Sequence, residues 1–273
     1  VLTGAVRNGQ SVHHVMTHNP DRFTVCEKTV YRYVAGRLLA VKNGDMPRVC
    51  SLKPRRSKPV EHKVDSKCRV GRTYADFQAF MARNPDTPVA ETDSVIGRVG
   101  GKVLLTAYFR NSAMLLAFLR ERNDSQSVLD AFARLWSDAG AGPDLFRMLF
   151  PVILTDNGSE FSNPSAIESA PDGSRRTSVF YCDACASWQK GGIERDHEFL
   201  RMVLPKGTDF DGLSQDGINL VLSHVNSYSR PSREDKSPYD LFAFRYGTGL
   251  LDRLGIRKIA PGDIVLKPSL LAR

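Results

Sequence analysis

The sequence predicts an α/β domain with a mixed five-stranded sheet flanked by helices, preceded by a small helical segment. Three observations predict it. Residues 88–119 contain three successive strand-like runs separated by turn residues. A short apolar run at 152–154 follows a helical stretch, the alternation that produces parallel pairing, and 179–182 is one more strand. Before residue 47 the apolar residues recur at helical spacing.

At 273 residues the chain can build one sizeable core with one or two small appendages. Its 41% hydrophobic and 25% charged residues read as a soluble globular protein. The formal charge of +8 calls for a polyanionic partner. That excess is N-terminal, since residues 1–87 hold 16 Lys and Arg against 7 Asp and Glu and the remainder holds 22 against 23. Five cysteines, an odd number, do not make a disulfide framework and point to a reducing cytoplasm. No apolar run approaches the ~20 residues that span a bilayer, and no signal peptide opens the chain. The first residue is Val1 rather than Met, so a truncated N-terminus is expected.

Residues 1–46 read as a helix-turn-helix DNA-binding segment. Val12, Val15 and Met16 give a helix from Ser11 that Asn19-Pro20-Asp21 breaks, and a second runs from Cys26 to Gly36, with Thr24 as its candidate cap. Lys28 and Arg32 lie on that second helix, the candidate recognition helix. Helix pairs of this kind are also common without DNA. Residues 47–69 form a basic linker, Pro-punctuated from Pro47 to Pro59, in which Lys53, Arg55, Arg56 and Lys58 are placed to track phosphates; the alternative is a merely solvated hinge. His13, His14, Cys26, Cys50, His62 and Cys68 lack the close pair spacings of structural zinc sites.

The larger unit spans residues 70–246. Thr73 to Ala82 is a helix with Phe77, Phe80 and Met81 on one face, stopped by Asn84-Pro85-Asp86. Pro88 to Gly97 alternates as a strand that carries Asp93, and Lys102 to Phe109 is its hairpin partner across residues 98–101. Met114 to Leu119 makes a third strand. Ser125 to Ala139 is an amphipathic helix laid on this sheet. Val152, Ile153 and Leu154 then form a strand that must stop at Asn157-Gly158, which leaves Asp156 at an exposed tip. A carboxylate there is rigidly aimed yet reaches water, as a metal ligand must, although an Asp in this position can equally serve only to start the turn. Asp93 and Asp156 are expected on adjacent strands.

After a strand at 179–182, a helix from Ile193 to Leu204 places Glu194, His197, Glu198 and Arg201 on one face and Phe199, Leu200 and Val203 on the inward one. A purely solvated polar face is the competing reading. Cys182-x-x-Cys185 has no second pair, which favours two incidental thiols over zinc or redox chemistry. Helices at 213–228 and 238–246 follow, and 258–267 reads as a small strand or hairpin within a C-terminal appendage, 247–273, made for packing or oligomer contact.

Glu91-Thr-Asp-Ser-Val-Ile-Gly97, Gly100-Gly-Lys-Val-Leu-Leu-Thr106, Thr155-Asp-Asn-Gly-Ser-Glu-Phe161, Ser187-Trp-Gln-Lys-Gly-Gly-Ile-Glu194 and Leu204-Pro-Lys-Gly-Thr-Asp-Phe210, in this order, resemble the integrase core of the IS-thirty family of bacterial insertion-sequence transposases. Asn226-Ser-Tyr-Ser-Arg-Pro231 and Lys236-Ser-Pro-Tyr-Asp240 extend the resemblance. It implies a ribonuclease-H-like integrase catalytic core with a DDE triad. Residue by residue, Asp93 matches the first aspartate, Asp156 the second and Glu194 the glutamate. The activity implied is that of a DNA transposase, which cleaves element ends and joins 3′ hydroxyls to target DNA by transesterification on two Mg2+ ions, with Mn2+ tolerated. The partners implied are terminal inverted repeats and target DNA, met by a homo-oligomer on DNA in the bacterial cytoplasm, at the nucleoid, with no membrane. Trp188 is then a candidate for stacking on an unpaired base, Lys190 and Arg201 for DNA contact, and His197 and Glu198 for supporting the ligand Glu194. Ala184 and Cys185 depart from the Pro and aromatic residue that relatives often carry, and the family's front helix-turn-helix is either absent or cut off. A DNA-binding protein that lost the chemistry and a plain metal-dependent nuclease of the same fold are the competing functions.

Overall fold

The computed structural model describes residues 1–47, 67–137 and 139–272; the linker residues Lys53, Arg55, Arg56 and Lys58 lie outside them. At the front are α1 (Leu2–Arg7), α2 (Val12–Thr17) and α3 (Glu27–Ala35). Ser11 starts α2 by accepting a hydrogen bond from the His14 N–H at 3.1 Å. Val30 and Val34, four apart on α3, join Val6, Val12, Val41 and Met46 in a small separate core. Lys28 and Arg32 are consequently on the exposed side of α3.

The connection between α2 and α3 differs from the tight turn expected. The Asn19 amide folds back onto the Val15 carbonyl at 2.8 Å, and Pro20 nucleates an additional 3-10 turn, Pro20–Arg22. Cys26, not Thr24, takes the N-cap position of α3, and its side chain makes no capping bond.

The larger unit begins with α4 (Tyr74–Arg83), closed at its start by reciprocal bonds between Thr73 and Asp76. Strands β1 (Val89–Ile96), β2 (Val103–Phe109) and β3 (Met114–Arg120) form an antiparallel meander in which Asp93 pairs with Thr106. Helices α5 (Ser125–Trp136) and α6 (Pro143–Leu149) lead to β4 (Val152–Thr155), and α7 (Pro164–Glu168) leads to β5 (Ser178–Tyr181). Strand β4 runs parallel to β1 and β5 parallel to β4, giving the order β3-β2-β1-β4-β5. This is the mixed five-stranded α/β sheet, flanked by helices, of the ribonuclease-H-like class expected from the sequence. The chain continues through α8 (Gly191–Val203), α9 (Gln215–Ser227), α10 (Pro238–Tyr246) and α11 (Gly249–Arg253).

Side chains alternate across the sheet, so each strand serves two layers. Ala90, Phe109, Ile153 and Val179 share the main core with Val128 and Phe132 of α5 and Phe146 of α6. On the opposite face Val89, Val152, Leu154 and Phe180 pack under Phe77 of α4. Glu91, Asp93 and Thr106 belong to that second face too, where α8 crosses β1 and β2.

The open edge of β3 is closed by side-chain amides from α9. Asn226 accepts from the Leu115 N–H at 2.9 Å and donates to the Leu115 carbonyl at 2.8 Å, while Gln215 accepts from the Leu119 N–H and donates to the Ala117 carbonyl. A bare edge invites pairing with another chain, and these amides occupy four of its backbone groups.

Residues 258–267 form no strand or hairpin. Instead a 3-10 turn, Pro261–Asp263, sits in an extended segment whose N–H groups find other partners: Val265 donates to His224 Nδ1 at 3.1 Å and Leu266 to the Asn8 carbonyl at 2.7 Å. Gln10 returns a bond to the Ile264 carbonyl at 2.8 Å. The appendage therefore ties the front helices to the core, the packing role expected of it. Gly9, at φ +87°, has no room for a side chain there, because a Cβ would lie 2.5 Å from the Leu266 carbonyl oxygen.

Candidate active site

Strand alternation puts Glu91 and Asp93 on one face of β1. Glu91 pairs with Leu154 across the parallel β1–β4 ladder, so Asp93 and Asp156, each two residues further on, stand side by side. Asp156 Oδ1 accepts from the Gly158 N–H at 3.0 Å and Asp93 Oδ1 from the Ser94 N–H at 2.7 Å. Both remaining oxygens, the Oδ2 atoms, turn toward one cation: the Lys190 Nζ lies 3.3 Å from Asp93 Oδ2 and 3.6 Å from Asp156 Oδ2.

Lys190 is only 4% exposed and donates a further bond to the Thr92 carbonyl at 3.1 Å. The sequence placed it against DNA; the fold points it inward, because it is the last residue before α8 and that helix lies over the sheet. Burial pushes the Asp93 carboxyl up to about 6, with Lys190 pulling against the rise and Asp156 adding to it. Burial alone would lower the Lys190 ammonium, but the two aspartates outweigh it and its pKa is raised.

The position of α8 is fixed by residues that sequence patterns did not single out. Glu91, 2% exposed, accepts from Arg110 Nε at 2.6 Å and from the Ile193 N–H at 2.7 Å in the first turn of α8. Arg110 also donates to the Gln189 carbonyl at 2.8 Å, and Gln189 exchanges two bonds with Asp183. The signal was available: a Glu two residues before Asp93 in a strand shares its face, and a buried carboxylate there requires a cationic partner. The inward stripe of α8, expected as Phe199, Leu200 and Val203, buries Ile193, Asp196, Leu200 and Val203, and Asp196 forms a buried pair with Arg230 at 2.5 Å.

His197 reaches the sheet. Its Nε2 is 2.9 Å from Thr106 Oγ1, and that hydroxyl donates to the Asp93 carbonyl at 3.0 Å. Burial, reinforced by Lys190 and Arg201, pushes the imidazole down to about 4, so it is neutral at physiological pH. Glu194, one turn earlier, is exposed and makes no hydrogen bond or ion pair among the described residues. Glu198 is exposed as well. Arg201 is half-buried, donating to the Ile96 carbonyl at 2.8 Å. Trp188 is 73% exposed and meets Tyr74 edge-on at 6.0 Å. Cys182 is buried, with its thiol pushed up to about 12 by burial, and Cys185 is exposed; both are free thiols.

The structure thus unites Asp93 and Asp156 and leaves Glu194 apart. Among the described residues no three His, Cys, Asp or Glu side chains converge as a cage for a metal ion. Two carboxylate oxygens already turned to one ammonium nevertheless make a donor pair suited to a hard cation.

No family model matches the chain. It is 25% identical over 256 residues, 88% of this chain and 67% of the relative, to a Streptococcus salivarius protein named "Probable transposase for insertion-like sequence element IS1161". It is 33% identical over 99 residues, 36% of this chain and 28% of the relative, to the transposase for insertion sequence element IS1086 of Cupriavidus metallidurans. Among solved structures, the simian T-cell lymphotropic virus intasome in complex with PP2A regulatory subunit B56 gamma aligns with a TM-score of 0.43 at 16% identity, covering 56% of this chain and 53% of that one. The chain therefore spans about two thirds or less of the length of these relatives. Over most of its own length, it is similar to transposases of insertion sequences.

Proposed function

We propose that the protein is a DNA transposase of the IS-thirty family that cleaves the ends of an insertion sequence and joins the freed 3′ hydroxyls to target DNA. The observation that carries this reading is the convergence of Asp93 and Asp156 on one buried cation, beneath the helix that bears Glu194. Transposase relatives supply the reaction class, and the ordered motifs supply the family.

Asp93, Asp156 and Glu194 would hold two Mg2+ ions, which supply activation of the attacking oxygen and stabilisation of the leaving one. Asp93 is presented from the rigid centre of the sheet and Asp156 from a strand tip open to DNA. Glu194, in the first turn of α8, lies one turn from His197, whose contact with Thr106 sets that face of the helix against Asp93. For the glutamate to join the pair, the first turn of α8 has to shift from the place where Glu91 holds it. The exposed Trp188 indole stands on the approach to the site as a stacking surface. Outside it, Lys28 and Arg32 on α3 and the linker residues Lys53, Arg55, Arg56 and Lys58 neutralise phosphates, and Arg201, half-buried beside Ile96, is the phosphate contact nearest the site. On DNA the protein works as a homo-oligomer that brings two ends together.

The test uses duplex oligonucleotides ending in the inverted repeats that flank the coding region, with Mg2+ or Mn2+. Cleavage followed by joining to target DNA is expected. Cleavage without joining would identify a nuclease, and binding with neither step an inactive DNA-binding relative.

A further inference from the structure

Lysine has three N–H donors and no acceptor. At Lys190 one donor bonds the Thr92 carbonyl at 3.1 Å, and the ammonium forms ion pairs with Asp93 Oδ2 at 3.3 Å and Asp156 Oδ2 at 3.6 Å. The ammonium is held as a small cation in an oxygen cage. Its backbone is equally constrained, since Arg110 grips the Gln189 carbonyl and Glu91 grips the Ile193 N–H, one residue before it and three after. The side chain can pivot, but its charge cannot travel far from the aspartates.

We propose that Lys190 is the resident counter-cation of the aspartate pair, holding the two carboxylates together without metal and setting the divalent-ion concentration at which the site loads. The inference rests on the reading of Asp93 and Asp156 as metal ligands. A divalent ion that took both Oδ2 atoms would need contacts of about 2.0–2.1 Å for Mg2+, and the ammonium would then give up its ion pairs with those oxygens. Loading is therefore an exchange of one cation for another. Free carboxylates this close would repel each other, so the lysine also keeps the apo site in a loadable shape. Its place immediately before Gly191-Gly192 couples the exchange to the start of α8, where Glu194 sits two residues past the glycines.

The measurement is Mn2+ affinity by calorimetry, with melting temperature in chelator and in Mn2+, for the full chain and for Lys190→Met, Lys190→Gln and Asp93→Asn. Removing the lysine charge should tighten Mn2+ binding on the order of tenfold, within the usual span of coupling between two sites. It should also lower the melting temperature in chelator and enlarge the gain on adding Mn2+. In the unmodified protein, which needs no variant to fold, amine-reactive labelling of Lys190 should rise when Mn2+ is added. Equal affinities with and without the lysine charge, or labelling that Mn2+ leaves unchanged while it binds, would overturn the counter-cation. Binding that Asp93→Asn leaves intact would instead overturn the metal assignment itself.

Discussion

The side chain of Asp93 is 23% exposed and that of Asp156 is 43%, so the first is aimed by the sheet and the second is free to meet a ligand from solvent. Glu194 and Glu198 are both exposed on α8, about 6 Å apart along the axis at 1.5 Å rise per residue. Glu194 is nearer the loop that must admit DNA. Changing each to Gln keeps shape and removes charge. Glu194→Gln is expected to eliminate Mg2+-dependent strand transfer, and Glu198→Gln to weaken it by no more than the ~10–100-fold typical of residues that support a ligand; the reverse pattern would mean that α8 turns the other glutamate to the metal. Behind the helix, Asp196→Ala would strand Arg230 in a buried position, and a loss of about 3–5 kcal/mol in denaturant unfolding is expected from breaking such a pair. A loss under ~1 kcal/mol would show that water reaches the guanidinium.

At the scale of elements, α8 is positioned by β1 through Glu91 and the front helices are positioned by the turn near Asp235. His13 is the joint between α3 and that turn. Its Nδ1 lies 2.6 Å from Glu27 on α3 and its Nε2 2.7 Å from Asp235, and these carboxylates, Asp235 foremost, raise its pKa above 6.5. A histidine with a raised folded-state pKa adds stability that is complete below the unfolded value, ~6.5, and is lost as pH rises through the raised one. Limited proteolysis between residues 1 and 47 should accordingly speed up over that window in the native protein and stay flat in His13→Gln. Identical pH profiles would remove His13 from the docking.

Much of this layer was legible in the sequence, and the exceptions have causes. Alternation and turn residues marked β1, β2 and β3, and Asn157-Gly158 marked the end of β4. Helices α6 and α7 are too short for periodicity to announce, at 7 and 5 residues. The 258–267 segment has strand-like composition, but its hydrogen bonds go to Asn8 and His224, which sequence spacing cannot foresee. The adjacency of Asp93 and Asp156 could be read because neighbouring strands fix where they stand. Lys190 was misplaced because lysine is almost always exposed, and only the crossing of α8 over the sheet buries it.

Across the whole molecule the positive excess belongs to the front while the two paired aspartates sit in a nearly neutral core. On the proposed function, binding and chemistry are separable. DNA affinity should fall steeply with salt, and neutralising Lys53, Arg55, Arg56 and Lys58 should shrink the log–log slope by ~0.9 for each duplex phosphate that these side chains pair with. An unchanged slope would mean that these residues do not touch the backbone. The central claim, that the aspartate pair is the catalytic metal site of a strand-transferring enzyme, is tested most directly by Asp156→Asn assayed for strand transfer and for DNA affinity in the same buffer. Cleavage and joining should both disappear while affinity stays within about twofold, since the proposed function puts binding on the N-terminal charge. Normal strand transfer by Asp156→Asn would contradict the claim.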